Sequence, residues 1–182
     1  MQVLLRFLNA FFEVAIFRRG PQDLPASQAL LVLTVVVYWL VTFGAMTVQL
    51  PSGAAMLQAI ADTALMIGFT WALLAVRSHL PRFSQTLTAL AGTGTLLGLV
   101  ALPVLAWLMR VADPADQTSA DPSAVVPSLL LLFLMGWSIA VVAFILRHAL
   151  DVQRGISVVL AVAYLVLSFA LSNALLARGG AG

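Results

Sequence analysis

Four long runs of this chain hold no charged side chain at all. Neither arginine, aspartate nor glutamate occurs in 24–61, 83–109, 122–146 or 155–177, and lysine is absent throughout. About 20 apolar residues at ~1.5 Å rise per residue cover the ~30 Å hydrocarbon core of a bilayer, so each run is long enough to cross one. The composition agrees, being 62% apolar and 9% charged, where a soluble domain carries about a quarter of its residues charged. The chain therefore predicts an all-α membrane protein: a bundle of five transmembrane helices over 26–177, preceded by an amphipathic interfacial helix over 1–19. The spans fall at about 26–50, 55–76, 86–109, 127–146 and 156–177, and Pro103 is an expected kink.

Residues 1–19 differ from the spans. At ~100° per residue, Gln2, Arg6, Asn9 and Glu13 share an arc of about 60°, and the rest of the wheel is apolar. One narrow polar stripe on a broad apolar face suits a helix lying in the headgroup region. Arg18, Arg19 and the Gly20-Pro21 breaker end it. Arg6, Phe11, Phe12, Arg18 and Arg19 are the expected membrane-surface residues. A signal peptide fits less well, because Arg6 and Glu13 interrupt the apolar core that it needs.

Arginine placement sets the orientation. With the amino terminus inside, Arg6, Arg18, Arg19, Arg77, Arg82, Arg147 and Arg154 fall inside, and only Arg110 and Arg178 outside. The carboxyl terminus and the acidic 113–121 loop then lie outside. Arginine as the sole cation, with abundant Ala and Leu, reads as GC-rich bacterial coding, so the expected location is the bacterial cytoplasmic membrane. The arginines are dispersed without interleaved aromatics, which argues against nucleic acid.

Chemistry-bearing residues are few. Cysteine is absent, which removes disulfides, thiolate catalysis and Cys-based metal sites. His79 and His148 with Asp151 give too few ligands at no recognised spacing for a metal, and no Ser or Thr has a histidine base beside it in sequence. No catalytic, cofactor-binding or metal residue is assigned. Asp62 is the only acid within a span. A central Asp costs ~2.5–3.5 kcal/mol on insertion scales, so it must face protein or water. Gln58 lies one turn earlier on the same face, and Asn173 lies at comparable depth, with Ser172 beside it. Gln58, Asp62 and Asn173 form the candidate intramembrane polar site, either an ion-responsive group or a structural hydrogen bond that fixes helix register. Gly92, Gly94 and Gly98 form a small-residue stripe for close helix packing. The turns Ala75-Val76-Arg77-Ser78-His79-Leu80 and Ile145-Leu146-Arg147-His148-Ala149-Leu150 suggest a faint parallel repeat of two hairpins.

From Trp137 to Ala163, a span ends in Leu146-Arg147-His148-Ala149-Leu150, and a short basic turn then leads through Gly155-Ile156-Ser157 into the last span. This segment, with the amphipathic start and five-span layout, resembles bacterial Yip1-domain proteins. Asp151-Val152 stand where that family usually has glycine. The resemblance implies a five-span integral membrane protein and transfers no catalytic residue. Two functions are expected. The first is a non-enzymatic scaffold or adaptor, with the lipid bilayer and a membrane-protein partner or homo-oligomer as its contacts. The alternative is a small transporter or channel component with Asp62 as its titrating intramembrane group.

Overall fold

The computed structural model describes residues 2–111 and 122–179, with side chains for 8–111 and 122–177. The acidic 113–121 loop and the side chains of Arg6 and Arg178 therefore lie outside the described residues. Six helices follow in order: α1 (Gln2–Ala15), α2 (Gln28–Thr47), α3 (Ser52–Val76), α4 (Phe83–Val111), α5 (Pro122–Leu150) and α6 (Arg154–Gly179). Helices α2 to α6 are each long and apolar enough to cross a membrane. Helices α4, α5 and α6 run a few residues beyond the charge-free runs, whereas α2 is shorter than the expected 26–50 span. Helix α4 passes without interruption through Pro103, as α5 does through Pro127.

The five long helices form a ring, in which each packs on two neighbours in the order α2, α4, α5, α6, α3 and back to α2. Five threonine hydroxyls inside the bundle are satisfied within their own helices, whereas the buried Thr88 hydroxyl has no partner among the described residues. Thr34, Thr63, Thr70, Thr93 and Thr95 each donate to the carbonyl four residues earlier, at 2.7–2.9 Å. This is how a polar side chain is tolerated where no water can bond it.

One end of the ring is tightly built. The α3–α4 and α5–α6 turns meet there, and Arg82 Nη1 donates to the carbonyls of His148 and Ala149 at 3.3 Å each. Arg77 reaches the Leu150 carbonyl at 3.5 Å. The last carbonyls of a helix have no partner within it and carry its negative dipole end, so two guanidinium groups cap α5 there. Three helices end alike at this basic end, each with a left-handed residue that is not glycine: Phe17 (φ 63°), Ser78 (φ 56°) and Asp151 (φ 53°). In each, the next amide donates back five residues: Arg18 to Glu13, His79 to Leu74 and Val152 to Arg147. The two hairpins are thus equivalent with Ser78 on Asp151, one helical turn away from the register that pairs Arg77 with Arg147. The shared arginines do not occupy matched backbone positions.

Helix α1 is part of this packed end. Ala10, Phe11, Val14 and Ala15 are buried against α4 and α5. Phe11, expected at the membrane surface, is only 6% exposed, whereas Phe12 is 56% exposed. The reason is Gly92: a Cβ there would lie 2.4 Å from the Phe11 ring, so the missing side chain is the socket for that ring. Trp137 Nε1 donates to the Ala15 carbonyl at 3.1 Å, and Phe17 packs on both Trp137 and Phe144. Arg19 folds back on Glu13 at 3.3 Å, which pairs the only acid of α1. Arg18 and Arg19 are exposed.

Candidate functional site

The glycine stripe positions the site. A Cβ on Gly94 would lie 2.8 Å from the Tyr38 ring, and one on Gly98 would lie 2.9 Å from Val41. Rings and branched side chains enter the glycine gaps here, in place of backbone meeting backbone. With its ring seated against Gly94, Tyr38 extends its hydroxyl to Asp62 and donates to Oδ2 at 2.6 Å. Ser168 on α6 donates to Oδ1 at 2.7 Å. Tyr164, four residues before Ser168 and so on the same face of α6, interacts with both Asp62 and Tyr38.

Asp62 therefore holds three helices together through two short bonds. Hydrogen bonds to a charged acceptor contribute ~1.5–3 kcal/mol each, which is comparable to the insertion cost of one central Asp. It lies ten residues after Ser52 in a 25-residue helix, hence ~15 Å from the nearer helix end. The expected span began at residue 55, whereas α3 begins three residues earlier, immediately after Pro51, and so sets Asp62 further from its end. One turn away, the Gln58 amide donates to the Ser172 hydroxyl. Asn173 joins neither group. It is exposed on the outside of the ring, since one residue along a helix turns the side chain by ~100°.

Asp62, Tyr38 and Tyr164 line a cavity of about 410 Å³ at the centre of the ring, to which all five long helices contribute. Its other walls are apolar, with Met46, Met66, Met135 and Phe69 prominent. The Thr70, Thr93 and Ser138 hydroxyls that reach it donate to backbone carbonyls of their own helices. Asp62 is the one charged side chain among the described lining residues. The volume lies within the usual range for small-molecule sites, and so does the pattern of apolar walls with a few convergent polar groups.

A second, smaller hollow of about 260 Å³ lies at the basic end, bordered by Arg82, Gln85, His148 and Asp151. These four side chains have partners: Arg82 caps α5 and meets Asp151 at 3.5 Å, Gln85 donates to the Leu24 carbonyl at 2.9 Å, and His148 Nδ1 bonds the Phe144 carbonyl at 2.8 Å. No group of three or more His, Asp or Glu that could hold a metal occurs among the described residues.

Tyr38, Tyr164 and Ser168 are the site residues that the sequence reading missed. A signal existed, since Tyr38 and Tyr164 are the only tyrosines in the chain. Each stands ten residues into its helix, and both helices start from the same end, so depth alone sets them level with Asp62. No protein-family model, curated protein or solved structure matches this chain.

Proposed function

We propose that this chain is a non-enzymatic ligand-binding membrane protein, acting as a small transporter or channel component. Its central cavity takes a largely apolar small molecule oriented by Asp62. The observation that carries this reading is the cavity itself: about 410 Å³, largely apolar, lined by residues of five helices and bordered by a single acidic group near mid-depth. A carboxylate needed only to fix helix register would be covered by packing; this one borders open space. The proposed setting is the bacterial cytoplasmic membrane, with the amino terminus inside, supported by the arginine bias.

The scaffold or adaptor reading has less support. Its natural docking surfaces for a partner would be the aromatic face of α1 and the glycine stripe. Phe11 lies in the Gly92 socket, Phe17 lies on Trp137 and Phe144, and Gly94 and Gly98 receive Tyr38 and Val41 of the same chain. The likeness of 137–163 to Yip1-domain proteins is compatible with the five-span layout and names no ligand.

The test is equilibrium binding of the neutral apolar dye Nile red to the full chain in lipid nanodiscs, corrected against empty nanodiscs. Saturable binding is expected, and Ala101→Trp should abolish it by filling the cavity from α4. Purely partition-like uptake, equal in both proteins, would contradict the reading.

A further inference from the structure

We propose that the cavity is selective for lipophilic organic cations, with Asp62 as counter-charge and three aromatic rings as the rest of the cation-binding wall. This rests on the reading of the cavity as a ligand site and names the class of ligand.

Three observations converge. First, Asp62 has hydroxyl donors on both oxygens, Tyr38 on one and Ser168 on the other, and no cationic partner among the described residues that line the cavity. Two donors hold the carboxylate in place without cancelling its charge. An ionised acid far from water is favoured when a cation enters beside it. Each oxygen also keeps lone-pair capacity for an ammonium proton.

Second, Tyr38, Tyr164 and Phe69 share the cavity wall with Asp62, and the Phe69 and Tyr164 ring centroids are 5.4 Å apart. Aromatic faces attract cations most strongly where water is excluded, and they favour weakly hydrated organic cations. An inorganic cation would instead need about six oxygen ligands at ~2–2.6 Å. The cavity offers one carboxylate, and several of its hydroxyls are directed to their own backbones.

Third, the remaining wall is rich in methionine, with Met46, Met66 and Met135 on three different helices. Unbranched, polarizable side chains re-pack around apolar bodies of different shape. The site therefore fixes the charge of the ligand closely and its apolar body loosely.

The experiment compares two ions of nearly the same shape and opposite charge, tetraphenylphosphonium and tetraphenylborate, binding to the full chain in nanodiscs, corrected against empty nanodiscs. The phosphonium should bind saturably, roughly tenfold or more tighter than the borate, as expected for a desolvated charge pair. Asp62→Asn should remove that preference and Asp62→Glu should keep it. Comparing the two ions on the unaltered protein needs no variant, so the result stands even if Asp62→Asn fails to fold. Equal binding of both ions would overturn the charge selectivity while leaving a ligand cavity in place. No saturable binding of either ion, nor of Nile red, would overturn the cavity reading itself.

Discussion

The basic half of the bundle and the half beyond it are built to different standards. Around the basic end, Leu87 to Thr93 of α4 and Ile145, Leu146, Ala149 and Leu150 of α5 are buried, α1 is packed into place, and the α5 terminus is capped by Arg77 and Arg82. Beyond Thr95, no described residue of α4 is buried, and the first half of α5 buries only Pro127. There α2, α4 and α5 border a cavity that reaches into the packed half as far as Leu90, Thr93 and Leu146, while α3 stays buried at Ala55, Gln58, Ala59 and Thr63. Helices in lipid gain no hydrophobic driving force from meeting one another, and close packing must hold them. A region that leaves a void therefore gives up dispersion contacts. The contrast suggests that the packed half supplies the stability that the cavity half forgoes for binding, the usual trade between stability and function.

The contrast can be broken or sharpened by substitution, beginning with the largest effect. Ile145→Ala, at a fully buried site, should cost ~2–4 kcal/mol. Leu134→Ala, on the cavity wall of the same helix, should cost under ~1 kcal/mol, because the space beside it is already empty. Thermal unfolding in detergent reads both, and equal losses would dissolve the distinction between the halves. Gly92→Ala should cost ~1–3 kcal/mol by pushing Phe11 out of its socket. Gly68→Ala, where a Cβ meets nothing within 4 Å, should be neutral or stabilise by about 0.5–1 kcal/mol through helix propensity. Trp137→Phe removes the indole bond to Ala15 and should cost ~1 kcal/mol, seen as faster hydrogen exchange in α1 with the cavity helices unchanged. Like Gly68→Ala a gain where the others lose, Ser78→Gly relieves a left-handed backbone and should raise stability by about 0.5–1 kcal/mol.

The extent to which the sequence revealed the site follows the same physics. Charge-free runs disclosed the long helices, because a bilayer tolerates little else, and Asp62 stood out as the one acid among them. Which way each helix faces was hidden. A helix apolar on all sides carries no stripe to orient it, so Asn173 was chosen as the candidate, and only the fold shows that its neighbour Ser172 is the one that meets Gln58. The tyrosines were overlooked because a phenol suits lipid, interface or core alike. The part of α1 that meets the bundle was hidden for a related reason: a broad apolar face does not say which of its rings packs on other helices. The partner that settles it, Gly92, lies 81 residues from Phe11 in sequence.

The absence of cysteine makes one measurement decisive for a cavity open to small molecules. Single cysteines would be placed at Ser138, on the cavity wall, and at Leu132, on the exposed face of the same helix. Each would then be treated in the membrane with a trimethylammonium-bearing methanethiosulfonate. A thiol reacts as thiolate, which requires a polar, accessible surrounding. Reaction at Ser138→Cys, slowed by tetraphenylphosphonium, with none at Leu132→Cys, is the expected result. An inert Ser138→Cys, or equal reaction at both positions, would contradict a cavity at the centre of the ring.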